Sequence, residues 1–152
     1  MSEQTCLPLP RGGEGRGEGL RLCLLILLAA CTPGAKTGAV DIKFDRDQCT
    51  GCGMVISEPH FAAEVRGGPK GAVTKFDDVG CAVKWLNQQP WADDPATEVW
   101  VARQSDGQWI DAKTAKYAGG KSSPMGFGFS AGSEGLTFEA LRAHVRTLDT
   151  KH

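Results

Sequence analysis

The sequence predicts an α+β fold built from two small, similar units, and three observations predict it. A strand-like alternation followed by a glycine-rich turn reads as a hairpin near the middle of the chain. Two later stretches carry apolar residues at helical spacing. The order strand, strand, helix, strand occurs once clearly, with a fainter copy behind it; in both halves a Phe precedes a small or acidic stretch and a helix. The chain has 152 residues, 23% charged and 41% hydrophobic, an ordinary globular composition. A net charge of −1 and a single Tyr provide no basic face for nucleic acid.

Taken in order, residues 61–65 alternate as a strand, residues 67–71 (GGPKG) turn the chain, and residues 72–76 pair back. Asp77 or Asp78 caps a helix whose apolar side is Val79, Ala82, Val83 and Leu86, with Pro90 beyond its end. Residues 98–102 form a further strand, and residues 105–108 (SDGQ) turn it into Trp109 and Ile110. A short strand is expected over residues 126–130, then a C-terminal helix presenting Phe138, Leu141, Val145 and Leu148. The expected units span about 41–104 and 105–152.

The chain opens differently. Residues 1–19 are rich in Gly, Arg and Glu, and residues 20–30 are apolar apart from Arg21. That run is far shorter than the ~20 residues a membrane-spanning helix needs. Basic, then apolar, then small residues is the order of a secretory signal. Residues 28–31 (LAAC) resemble the bacterial lipobox, whose cysteine, here Cys31, receives a lipid. The expectation is a signal peptide over 1–30, a lipid-anchored linker over 31–40 and a folded domain over 41–152. The domain would then face the periplasm. Thr32, where an inner-membrane sorting signal would have Asp, favours the outer membrane.

Of six cysteines, cleavage would remove Cys6 and Cys23 and lipidation would use Cys31, leaving Cys49, Cys52 and Cys81. Three thiols cannot complete a disulfide framework, so one is free or metal-bound. The densest cluster is Cys49–Thr50–Gly51–Cys52–Gly53–Met54. A thioether is a poor zinc ligand and a good one for Cu(I), so Met54 turns the choice of metal towards copper. In extended backbone, Cys52 and Met54 would point the same way. Met125 sits in a loop, SSPMGFG, and not in a periodic apolar stretch. Cys81 reads equally as a small buried hydrophobe or a ligand. His60 could lend an imidazole, although an exposed histidine is the plainer reading; Asp77 and Asp78 read as caps. There is no Ser/His/Asp set, phosphate-binding glycine loop or HExxH motif, and the chain reads as a binding protein, not an enzyme. The rival readings are a Cys-x-x-Cys thiol oxidoreductase, a zinc site of Cys49, Cys52, Cys81 and a His, and, through the fold implied by the resemblance given next, an organomercurial lyase using Cys52, Cys81 and Asp77.

With these motifs on the page, the chain resembles the NosL family. The matching segments are LAAC at 28–31, CGM at 52–54, KFDDVGC at 75–81, WVARQSDGQWIDAKTAKYA at 100–118 and SPMGFGFSA at 123–131. The resemblance implies two ββαβ-type units, similar to the core of organomercurial lyase. It implies Cu(I) on Cys52 and Met54, with Met125 a candidate third ligand. It also implies delivery of copper to nitrous oxide reductase with an ABC-type membrane transporter. Cys49 departs from the pattern of many members, and is either an extra thiolate or half of a Cys49–Cys52 disulfide that would block copper.

Overall fold

A computed structural model describes residues 36–149. The expected signal peptide, Cys31 and the rest of the linker as far as residue 35 lie outside the described residues. Among those described, no helix is long and apolar enough to cross a membrane.

Over the described residues the fold is α+β, with a four-stranded antiparallel sheet, a two-stranded sheet and two helices. β1 (Ala63–Gly67) and β2 (Ala72–Phe76) form the expected hairpin, with Ala63 opposite Phe76 and Gly67 opposite Ala72. β1 begins two residues later than the alternation suggests. Residues up to Phe61 are still in a turn, the Phe61 N–H donating to the Glu58 carbonyl at 3.2 Å. Gly67 closes the strand as a glycine because the Trp91 ring lies where a side chain would stand.

The chain then enters α1 (Val79–Leu86), where Asp78 is the N-cap, its carboxylate accepting from the Gly80 N–H at 2.8 Å. A side-chain oxygen on one of the first free helical N–H groups is what selects Asp there. Val79, Ala82, Val83 and Leu86 are all buried, as their spacing requires. Burying a Val or Leu completely stabilises by about 1.5–3 kcal/mol, so this side of α1 anchors the helix. α1 packs on β1, β2 and the C-terminal helix. β3 (Glu98–Ala102) pairs with β1, completing a ββαβ unit, and β4 (Trp109–Asp111) adds to the other side of β3, giving the order β2-β1-β3-β4. β4 therefore finishes the first sheet, although it comes from the stretch expected to open the second unit.

The second sheet pairs β5 (Lys116–Ala118) with β6 (Ser130–Gly132). β5 is not foreseen by the sequence pattern, and β6 starts only at Ser130, the last of the expected residues 126–130. Gly126 (φ 72°) and Gly128 (φ 78°) take left-handed conformations that interrupt extended backbone. α2 (Phe138–Asp149) buries Phe138, Leu141 and Val145 against α1 and β5. One contiguous core joins Val65, Phe76, Val83, Val101, Tyr117 and Leu141.

Candidate metal centre

The site begins as a tight hairpin. The Cys49 N–H donates to the Met54 carbonyl and the Gly53 N–H to the Cys49 carbonyl, both at 2.8 Å. The Thr50 N–H donates to the Lys75 carbonyl at 2.9 Å, docking the loop on the end of β2. Gly53 has φ 78°, a left-handed turn that Gly takes without steric cost. Cys52 and Met54 are therefore not neighbours on an extended strand: the chain turns between them. Cys52 is half-buried, whereas Met54 is 53% exposed.

Docking brings the loop against the junction of β2 and α1. Among the described residues, the ligand atoms of Cys49, Cys52, Asp77 and Cys81 all lie within 4.8 Å of one another. All three cysteines are free thiols, so Cys49 and Cys52 are not joined. Cys49 and Cys81 are buried. Of the two aspartates, only Asp78 caps α1. Asp77, buried, points both carboxylate oxygens at the Cys52 sulfur, 3.6 Å from each. The sequence favours Asp77 as a cap and leaves Cys81 undecided, and it groups the two with Cys52 only in the lyase alternative. The signal was present in the doubled Asp, since one helix start uses one N-cap and the second carboxylate must face elsewhere.

The thiols are electrostatically unequal. The Cys81 S–H donates to Cys49, holding the Cys49 thiol well below the ordinary range, at about 6. The same bond, with burial, raises Cys81. Burial pushes Cys52 up to about 11. A cation that binds all three sulfurs displaces the protons they carry, so binding is linked to pH.

Met125 arrives from another direction. Asp78 Oδ2 accepts from the Ser123 hydroxyl at 2.7 Å and from the Met125 N–H at 3.1 Å. Phe127 packs where a side chain on Gly80 would be, so the 123–127 loop is fastened to the start of α1 at two points. Met125 itself is 37% exposed. His60 is not among the clustered donors. Its Nδ1–H donates to the Gln104 carbonyl at 2.9 Å, leaving Nε2 as the nitrogen with a free lone pair.

Convergent thiols beside a half-buried cysteine, on a small α+β scaffold, define a protein equipped to hold a soft metal ion. The chain belongs to the NosL family, whose model matches residues 40–133. This is the family of nitrous oxide reductase accessory copper-binding proteins. No curated protein matches the chain.

Proposed function

We propose that this protein is a Cu(I) chaperone, a lipoprotein that supplies copper for maturation of the copper centre of nitrous oxide reductase. The observation that carries the reading is the position of Cys52. It is half-buried, with buried free thiols on its inner side and exposed Met54 two residues along the chain. Thiolate and thioether sulfur suit Cu(I). Cys52 and Met54 are the ligand pair, Cys49 can add a second thiolate, and Met125 on its fastened loop supplies a further thioether. His60 stands outside the donor cluster and has no part in this set. Transfer then proceeds by ligand exchange: an incoming sulfur or imidazole displaces an exposed thioether first, and Cys52 releases the ion last. Family membership supports nitrous oxide reductase as recipient and an ABC-type transporter as the second partner. The lipobox-like residues 28–31 support anchoring through Cys31 in the bacterial envelope, facing the periplasm, in the outer membrane more readily than the inner.

The test is an anaerobic titration of the reduced full-length chain with Cu(I) against a chromophoric chelator. Wild type should hold one Cu(I) per chain, with binding lost in Cys52→Ser and weakened at least about 10-fold in Met54→Leu. Indifference to both substitutions would overturn the copper site. Copper transfer to apo nitrous oxide reductase then tests the recipient.

A second reading has one observation in its favour: Cys52, Cys81 and Asp77, the two thiols and proton donor that cleavage of a carbon–mercury bond would need, do converge. Release of hydrocarbon from an organomercurial by the reduced protein would establish it; an inert protein would dismiss it.

A further inference from the structure

The donor set contains one group for which copper has no use. Asp77 is 2% exposed and its carboxylate stands among three sulfurs, yet a hard oxygen is a poor ligand for Cu(I). Three thiolates and one carboxylate are instead the donors of a closed tetrahedral site for a thiophilic divalent cation. Around such an ion, with metal–sulfur distances of about 2.3 Å, donor atoms stand about 3.8 Å apart. The four donors here already lie within 4.8 Å of one another, so small rotations of side chains would close the set. Its formal charge with a divalent ion equals that of a four-cysteine zinc site. The backbone is arranged for it as well. Cys49 and Cys52 share one turn, held by the Gly53-to-Cys49 bond, and Asp77 and Cys81 flank the capped first turn of α1.

We infer that Cys49, Cys52, Cys81 and Asp77 form a second, inward-facing site for a divalent cation of the zinc and cadmium class, sharing the Cys52 sulfur with the outward copper pair. The divalent ion enters as the remaining thiol protons pass to water, and no electron changes hands. Because one sulfur serves both positions, a divalent ion inside draws Cys52 away from Met54 and excludes Cu(I). The chain then has two metal states, a closed divalent one and an open cuprous one. Mutual exclusion rests on the copper reading of Cys52; the divalent site itself does not.

The probe is Cd(II) alone, added to the reduced full-length chain carrying Cys6→Ser, Cys23→Ser and Cys31→Ser, the background called wild type below, and followed by the ultraviolet sulfur-to-cadmium charge-transfer band. Wild type should bind one Cd(II) with an intensity corresponding to three thiolates. Cys49→Ala and Cys81→Ala should each reduce the intensity by about a third and the affinity at least about 10-fold, with Asp77→Asn weakening binding comparably. Met54→Leu should leave Cd(II) affinity unchanged. Preloaded Cd(II) should block Cu(I) uptake until chelated. The wild-type band counts thiolates even where a core variant fails to fold. An intensity corresponding to one thiolate, or Cd(II) binding that depends on Met54, would overturn the inference and leave the copper titration intact. Simultaneous loading of one Cd(II) and one Cu(I) would overturn mutual exclusion. A wild type that takes Cd(II) as described but not Cu(I) would sink the copper reading and keep the divalent site.

Discussion

At the scale of single residues, the site depends on conformations that particular side chains permit. Gly53 sits at φ 78°, where any L side chain meets its own carbonyl. Nothing crowds a Cβ at Gly53, so the penalty is conformational and not a clash. Gly53→Ala should destabilise the domain by about 1–2 kcal/mol, read from chemical denaturation, and lower Cu(I) affinity by loosening the turn before Met54. An unchanged midpoint would mean that the turn relaxes without cost. Chain-local features such as Cys52, Gly53 and Met54 were legible in the sequence because ligands a few residues apart must be neighbours in space. Asp77 and Cys81 entered only through the rival readings, because their meeting with Cys52 spans 25 residues in the case of Asp77 and depends on where the loop docks.

At the scale of elements, Asp78 has two duties that substitutions can separate. One carboxylate oxygen caps α1 and the other fastens the Met125 loop. Asp78→Asn retains the cap, since Asn caps as well as Asp, but turns an amide donor towards the Met125 N–H. Its amides at Met125 and Gly128 should exchange hydrogen faster while the α1 amides stay protected. Asp78→Ala should also lose the cap, about 1 kcal/mol more. Equal protection in all three proteins would refute the fastening. Gly80→Ala attacks the same contact from the other side. Its methyl would overlap the Phe127 ring, and overpacking of this kind costs about 1–3 kcal/mol, measurable as a lowered denaturation midpoint. The two helices and the β1–β2 and β3–β4 hairpins were readable because each repeats its apolar spacing or turn chemistry over enough residues. β5 and β6 have three residues each, too few for a period, and their pairing is set by glycine turns and long-range contact.

At the scale of the whole molecule, α+β architecture followed from the order of elements, but the division between sheets did not, because β4 joins β3 across a turn that looked like a boundary. One buried charge also makes global stability respond to pH. Glu64 is 1% exposed, its Oε2 accepts from the Val40 N–H at 2.8 Å, and Oε1 has no hydrogen-bond partner among the described residues. Burial raises its carboxyl above the ordinary Glu range. A raised carboxyl binds its proton more tightly in the folded state than in the unfolded one. Stability should therefore fall as pH rises from the ordinary Glu value through the raised one. Thermal melts of Glu64→Gln across that window should show a flatter slope than wild type; parallel curves would place the pH response elsewhere.

The separation in sequence of Cys52 from Asp77 and Cys81 has a consequence in time. An unfolded chain offers Cys49 and Cys52 as a local pair, but the fourfold set exists only after the loop has docked on the end of β2. If both proposed sites hold, the choice between a divalent and a cuprous ion would open only once folding is complete, and the ions present where the chain folds would decide what it first carries.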